Sequence, residues 1–191
     1  MAELQLDPAS TALVVIDLQR GIVGMPTVPH AAADVVGRAA RIAKLFREKG
    51  ALVVLVRVDP GPTGELFPRP LTDVQRPRMN PDAGWTDVMP QLGPEPGDAL
   101  VTKHQPGAFY ATDLEVHLRR RGIQTIVLCG IATNVGVEAT ARVAFEHRYN
   151  IVFVEDAMTA RDAETHTACV SKFFPTIGRV RTTDEVLAAF S

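Results

Sequence analysis

The sequence predicts an α/β fold: a three-layer α/β/α sandwich around a mainly parallel, six-stranded, doubly wound sheet. Three observations carry this expectation. Short runs rich in Val, Ile and Leu recur along the 191 residues and alternate with segments whose apolar residues fall at helical spacing, the βαβ order of a parallel sheet. The strand-like runs are continuously apolar, as expected of strands buried on both faces. Several of them stop abruptly at a charged residue. In the common doubly wound topology the strand order is 3-2-1-4-5-6, which brings the carboxyl ends of strands 1, 3 and 4 around one crevice, where open α/β sheets bind ligands.

The first run is ALVVI at 12–16, and it ends in Asp17. That carboxylate stands at the strand's carboxyl end, either as a turn cap or as a functional group. Residues 31–49 carry Val35, Val36, Ala39, Ile42, Ala43 and Phe46 at helical spacing, with Gly50 placed to end the helix. Residues 51–58 form the second buried strand. Between 60 and 96 the composition shifts, with nine of the chain's fourteen prolines and only a short helix expected at 85–89. Loops this long inside a compact domain are usually binding loops or disordered, and the prolines stiffen this one. Arg69, Arg76, Arg78 and Trp85 are its residues best able to do so, the arginines by pairing with a carboxylate and Trp85 by stacking. For any single one of them the favoured reading is the plainer alternative, solvated arginines and a Trp85 that anchors the loop to the core.

Residues 98–102 form the third strand, which ends in Lys103, one of four lysines in the chain. A lysine there either snorkels to the surface or acts on a ligand. TDLE at 112–115 reads as a capping box opening a helix that runs to Arg121 and stops at Gly122. Arg119, Arg120 and Arg121 fall in its last turn, where positive charge suits the helix dipole. His117 on the same helix has no second ligand at metal spacing. Residues 125–129 form the fourth strand, broken by Gly130, with Asn134 as N-cap of a helix carrying Ala139, Ala141 and Ala144. Backbone N–H groups at such a helix start bind anions and stabilise oxyanions. The fifth strand spans 150–154 and ends in Glu155 and Asp156. Thr159 is then expected to cap a helix carrying His166 and Cys169. A short sixth strand begins at Val180, and TTDE at 182–185 is a capping box before a closing helix to Phe190.

Composition narrows the function classes. A chain of 191 residues with 46% hydrophobic content can bury one full core, so one domain over 1–191 is expected. Twenty basic against twenty-two acidic residues give a net charge of -2, the wrong balance for a nucleic-acid partner. Two cysteines make no disulfide framework and have no zinc-like spacing, which fits a reducing cytoplasm. No basic leader and no membrane-length apolar run is visible.

The motif GIATNVGVEATAR at 130–142 resembles the signature turn of the isochorismatase-like hydrolase superfamily, also called the cysteine hydrolases, and the resemblance extends from Ala12 to near Phe190. It implies that Asp17, in the DLQ that opens the superfamily pattern, is the catalytic carboxylate. Lys103, in TKHQPGAF at 102–109, is then the second catalytic residue. Gly136 occupies the position of the nucleophilic Cys in nicotinamidases and N-carbamoylsarcosine amidases. Isochorismatases proper also carry a small residue there. The implied substrate-binding set is Gln19, Gln105, Ile131, Ala132, Thr133, Asn134 and Val135, with a cis peptide between Ile131 and Ala132.

Three departures from the family patterns narrow the expectation further. Val58-Asp59-Pro60-Gly61 lacks the histidine of the nicotinamidase metal motif, so no metal and no cofactor are expected. Gln105 stands where isochorismatases have an arginine. Ala132-Thr133-Asn134 replaces their Tyr-Ala-His. Both changes argue against isochorismate. The expected activity is hydrolysis of a small polar metabolite by Asp17 and Lys103 without a thiol, in a homo-oligomer. The alternatives are a catalytically silent homologue that binds a small anionic ligand, and a vinyl-ether hydrolase of the isochorismate type.

Overall fold

The computed structural model describes residues 4–61, 71–74 and 81–190. Its strands are β1 (Thr11–Ile16), β2 (Leu52–Val58), β3 (Ala99–Lys103), β4 (Thr125–Ile131), β5 (Asn150–Thr159) and β6 (Arg179–Arg181). They form one sheet in the order β3-β2-β1-β4-β5-β6, and every pairing is parallel. Topology and order are those expected from the sequence.

Helices cover both faces. They are α1 (Arg20–Val23), α2 (Ala32–Glu48), α3 (Leu114–Arg120), α4 (Glu138–Glu146), α5 (Ala163–Ala168), α6 (Phe174–Ile177) and α7 (Thr183–Ala188). The unbroken apolar run of β1 has a direct cause. Leu13 and Val15 pack into the core beneath α2, with Phe46 and Ile42. Ala12, Val14 and Ile16 pack into the other, with Leu114, Leu118 and Ala141. Alternate residues thus serve opposite layers, so every position must be apolar.

Several local expectations are corrected. The helix anticipated at 85–89 is a set of turns carrying an isolated antiparallel bridge between Gln19 and Val88. No capping box forms at 112–115: Thr112 Oγ1 instead accepts from the N–H of Leu114 at 3.2 Å and donates to the Ala108 carbonyl. The box at Thr182 and Glu185 is present as expected. β5 runs five residues past its predicted end, because Gly130 and Ile131 of β4 pair with Met158 and Thr159. Thr159 is therefore sheet, and Asp162 caps α5 by accepting from Thr165 N–H at 2.7 Å.

Gly130 is demanded by a close approach. It has φ +119°, and a Cβ there would lie 2.1 Å from the Ile16 carbonyl oxygen. Only glycine lets β4 end flush against the end of β1. That contact sets the spacing between Asp17 and the turn after Ile131.

Candidate active site

Asp17 follows β1 directly and has φ +53°, in the left-handed region. Asp tolerates that region better than most residues, and such backbone is held where surrounding structure fixes it. Its N–H donates to the Val56 carbonyl at 2.9 Å, continuing the ladder to β2 while the chain turns away. Lys103 closes β3. Its Nζ donates to Asp17 Oδ2 at 2.8 Å and to the Pro106 carbonyl at 2.7 Å. Both side chains are buried, Lys103 at 1% exposure and Asp17 at 8%.

The other carboxylate oxygen, Asp17 Oδ1, is buried and meets no hydrogen-bond partner among the described residues. Burial pushes the Asp17 carboxyl up from its ordinary value near 3.8 to about 6, with Lys103 opposing the rise by its charge and hydrogen bond. The group can therefore exchange a proton near neutral pH.

The turn after β4 completes the cluster. The Ile131–Ala132 peptide is cis, as the resemblance implied. Thr133–Val137 is a wide π-helical turn leading into α4. The helix thus starts earlier than an Asn134 cap would allow, and no side chain caps it. The N–H groups of Val135 and Val137 both close onto the Ala132 carbonyl, at 3.1 and 3.2 Å. The N–H groups of Asn134 and Gly136 do not join them on that carbonyl. Gly136 faces the ion pair: a Cβ built on it would lie 3.2 Å from Asp17 Oδ2 and 3.4 Å from Lys103 Nζ. Asp17, Lys103 and Gly136, from three separate segments, therefore meet at one point.

The expected substrate-binding set divides. Gln19 is completely buried. Its amide donates to the carbonyls of Val58 and Trp85 at 2.9 and 3.3 Å and accepts from Val58 N–H at 2.7 Å. Both donors are committed to scaffold, so Gln19 fastens the Trp85 segment to β2 and presents no N–H to a ligand. Gln105 is half-turned inward and donates to the carbonyls of Gly107 and Tyr110 at 3.0 and 2.6 Å, bracing its own loop. The Ile131 side chain lies in the core. Ala132, Asn134 and Val135 are partly exposed. Thr133 is fully buried, its Oγ1 2.9 Å from His166 Nδ1.

Trp85 takes the anchoring alternative. It is 8% exposed and lies in the core, over Gly21, where a Cβ would fall 2.0 Å from its Nε1. Arg69, Arg76 and Arg78 lie outside the described residues.

Sequence reading missed Thr140. Its Oγ1 donates to the Gly136 carbonyl at 2.7 Å and accepts from Ala108 N–H at 3.1 Å, tying the loop after Lys103 to the turn. A threonine six residues past the predicted N-cap Asn134 is the only signal, and helical threonines commonly bond back one turn. Cys129 and Cys169 do not reach the cluster, and burial pushes both thiols up to about 12. His104 Nδ1 lies 2.7 Å from the Asp59 carbonyl, so a histidine does approach Asp59 through space. The described surface also has a depression of about 370 Å³ lined by Arg119, Tyr149 and their neighbours. Its lining includes Gln124 and Asn150 at the opposite, amino-terminal edge of the sheet, far from Asp17 and Lys103.

The chain matches known proteins over nearly its whole length. The isochorismatase domain matches residues 11–185. YecD of Escherichia coli, an uncharacterized isochorismatase family protein, is 46% identical over 187 residues, covering 97% of this chain and 99% of its own length. The solved structure of an isochorismatase family protein from Burkholderia thailandensis superposes with a TM-score of 0.92 at 46% identity, covering 98% of each chain. RutB of Variovorax paradoxus, a ureidoacrylate amidohydrolase, is 31% identical over 212 residues, covering 98% of this chain and 84% of its own length.

Proposed function

The chain belongs to the isochorismatase family, and from that premise we propose that it is a hydrolase of a small polar metabolite, working through Asp17 and Lys103 without a cysteine nucleophile. The observation that carries this reading is Asp17 Oδ1, buried beside an ammonium group with no hydrogen-bond partner among the described residues. A scaffold has no need to bury a carboxylate oxygen without a donor, and doing so is costly. A reacting group supplies a reason.

In this reading a carbonyl substrate lies against Gly136. Asp17 Oδ1 takes a proton from water as the water oxygen bonds to the carbonyl carbon. Lys103 and the N–H groups of Asn134 and Gly136 balance the negative charge that develops on the carbonyl oxygen. The proton on Asp17 then passes to the leaving nitrogen or oxygen as that bond breaks. Gly136 stands where the family's cysteine enzymes keep their nucleophile, so no covalent intermediate forms. RutB is named for amide hydrolysis, which favours amides and ureides as the class to try first.

The elevated Asp17 carboxyl also favours a second reading, in which the protonated acid gives its proton to a vinyl ether. A screen of amides, ureas and vinyl ethers against the wild type and Asp17→Asn tests both. Turnover lost in the variant supports one of them, and the reacting class says which. No turnover of any class supports a silent homologue that binds a small anion. We also propose one domain over 1–191 in a homo-oligomer. Exposed Tyr110, Val116 and Phe145 supply apolar surface for self-association, and light scattering of the purified protein tests it. No helix among the described residues is long and apolar enough to cross a membrane, and two free thiols suit a cytoplasmic setting.

A further inference from the structure

Beside the turn that carries Thr133, three segments bring together His30, Glu155 and His166. One donor atom from each lies within 4.8 Å of the others. His30 Nε2 is 3.3 Å from Glu155 Oε1, and the two imidazoles meet edge to face with centroids 5.7 Å apart. From this geometry we infer a divalent transition-metal site, His30–Glu155–His166, that would take Zn²⁺ or a similar ion such as Co²⁺.

The donor set selects the ion. Two imidazoles and one carboxylate suit zinc, cobalt or nickel, whereas calcium and magnesium prefer all-oxygen ligands. With metal–ligand bonds of about 2.0–2.1 Å, tetrahedral ligand atoms lie roughly 3.3 Å apart. His30 and Glu155 already stand at that separation, and the remaining pairs must close by no more than about 1.5 Å, a side-chain adjustment.

The surroundings favour ligation. His166 Nδ1 is engaged by Thr133 Oγ1 at 2.9 Å, the kind of outer hydrogen bond that fixes the tautomer of a ligating histidine and leaves Nε2 to bind. The backbone of His30 is held from two sides, its carbonyl accepting from Thr27 Oγ1 at 3.0 Å and Thr159 Oγ1 at 2.8 Å. Its segment is stapled to the end of β5 by paired bonds between Val28 and Ala160, at 2.8 and 3.0 Å. Two of the ligands are therefore placed before any ion arrives. The side chains of His30 and Glu155 stay partly exposed, at 24% and 33%, which gives an entry path and room for water ligands.

A bound ion would lock together the end of β5, the start of α5 and the segment before α2, and through Thr133 would fix the turn beside Gly136. It would act by positioning, and the inference stands whether or not the hydrolase reading holds. The sequence offers no spacing signal for it, because its members are separated by 125 and 11 positions.

The test is calorimetric titration of chelator-treated protein with Zn²⁺, alongside the visible absorption of bound Co²⁺. The wild type should take up one equivalent and melt at a higher temperature with Zn²⁺ present. His30→Ala and Glu155→Gln, both at partly exposed positions, should each weaken binding at least tenfold and lose the Co²⁺ absorption. Thr133→Val should weaken it by roughly 10–100-fold through loss of the outer hydrogen bond. No saturable uptake by the wild type, or uptake unchanged in both His30→Ala and Glu155→Gln, overturns the site and leaves an ordinary His30–Glu155 hydrogen bond.

Discussion

Lys103 donates to Asp17 at 2.8 Å although the two residues stand 86 positions apart, and strand order is what joins them. β1 and β3 both flank β2, so the residues that end them emerge on the same edge of the sheet. A structural pair and a catalytic pair predict different losses. Removing one partner of a buried ion pair leaves the other uncompensated and costs about 3–5 kcal/mol of stability. If the pair is catalytic, Asp17→Asn and Lys103→Met should each also lower kcat by at least ~10²-fold on the substrate found by screening. The double variant should be little worse than either single one, because groups that act as a unit are not additive. Wild-type turnover by folded Asp17→Asn would end the hydrolase reading.

The pH dependence follows from the Asp17 carboxyl, raised from near 3.8 to about 6 by burial. As general base it must be ionised, so kcat/KM should rise with pH through about 6 and level off above it. A profile that falls through 6 would identify proton donation and favour the vinyl-ether reading. The stability consequence has the opposite direction to that of a typical salt-bridged carboxylate. The folded state binds this proton more tightly than the unfolded chain does, so the group's stabilising contribution is full below about pH 4 and lost as pH rises through 6. The change is about 3 kcal/mol. Denaturant melts from about pH 4 to about 6, the span between the unfolded and folded values, should show that slope in the wild type and not in Asp17→Asn.

Gln19 separates a supporting residue from a binding one. Gln19→Leu leaves Val58 N–H and two buried carbonyls without their partner. Each buried group so stranded costs about 1–3 kcal/mol. We expect a clear loss of thermal stability with KM unchanged at a temperature where the variant is folded. A raised KM with stability intact would return Gln19 to the substrate.

The sheet was legible because burial on both faces forces continuous apolar runs; Asp17 and Lys103 each interrupt such a run at its end, but it was the family resemblance that singled them out. What escaped depended on tertiary partners. The extension of β5 exists because Gly130 and Ile131 offer it a ladder, and nothing within 155–159 announces that. Thr159 and Asp162 are both competent helix caps, and pairing to β4 decided between them. Asn134 reads as a cap in isolation, but the Ala132 carbonyl takes two N–H bonds and starts the turn earlier. Gln19 and Gln105 look alike as exposed-type amides, and only the carbonyls around them define their work.

The native thiols should be silent. Burial pushes Cys129 and Cys169 up to about 12, so neither holds an appreciable thiolate at neutral pH. Activity should survive iodoacetamide treatment, and mass spectrometry of the folded protein should find neither cysteine modified. Loss of activity in a folded Cys129→Ala variant would assign the nucleophile to Cys129 and overturn the thiol-free reading.

Gly136→Cys carries that argument into the site itself. The new Cβ would fall between Asp17 Oδ2 and Lys103 Nζ, at 3.2 and 3.4 Å, but also 2.8 Å from Ile16 Cγ2. Ile16 must yield a few tenths of an ångström, an overpacking that costs about 1–3 kcal/mol, so the variant should fold with a lowered melting temperature. Its thiol would stand beside an ammonium that favours the thiolate and a carboxylate able to take the proton. Iodoacetamide should then modify this cysteine alone among three. Adding Lys103→Met should slow that reaction, since the charge favouring the thiolate is gone. A folded Gly136→Cys whose thiol reacts no faster than those of Cys129 and Cys169 would mean that Asp17 and Lys103 do not activate a group placed between them.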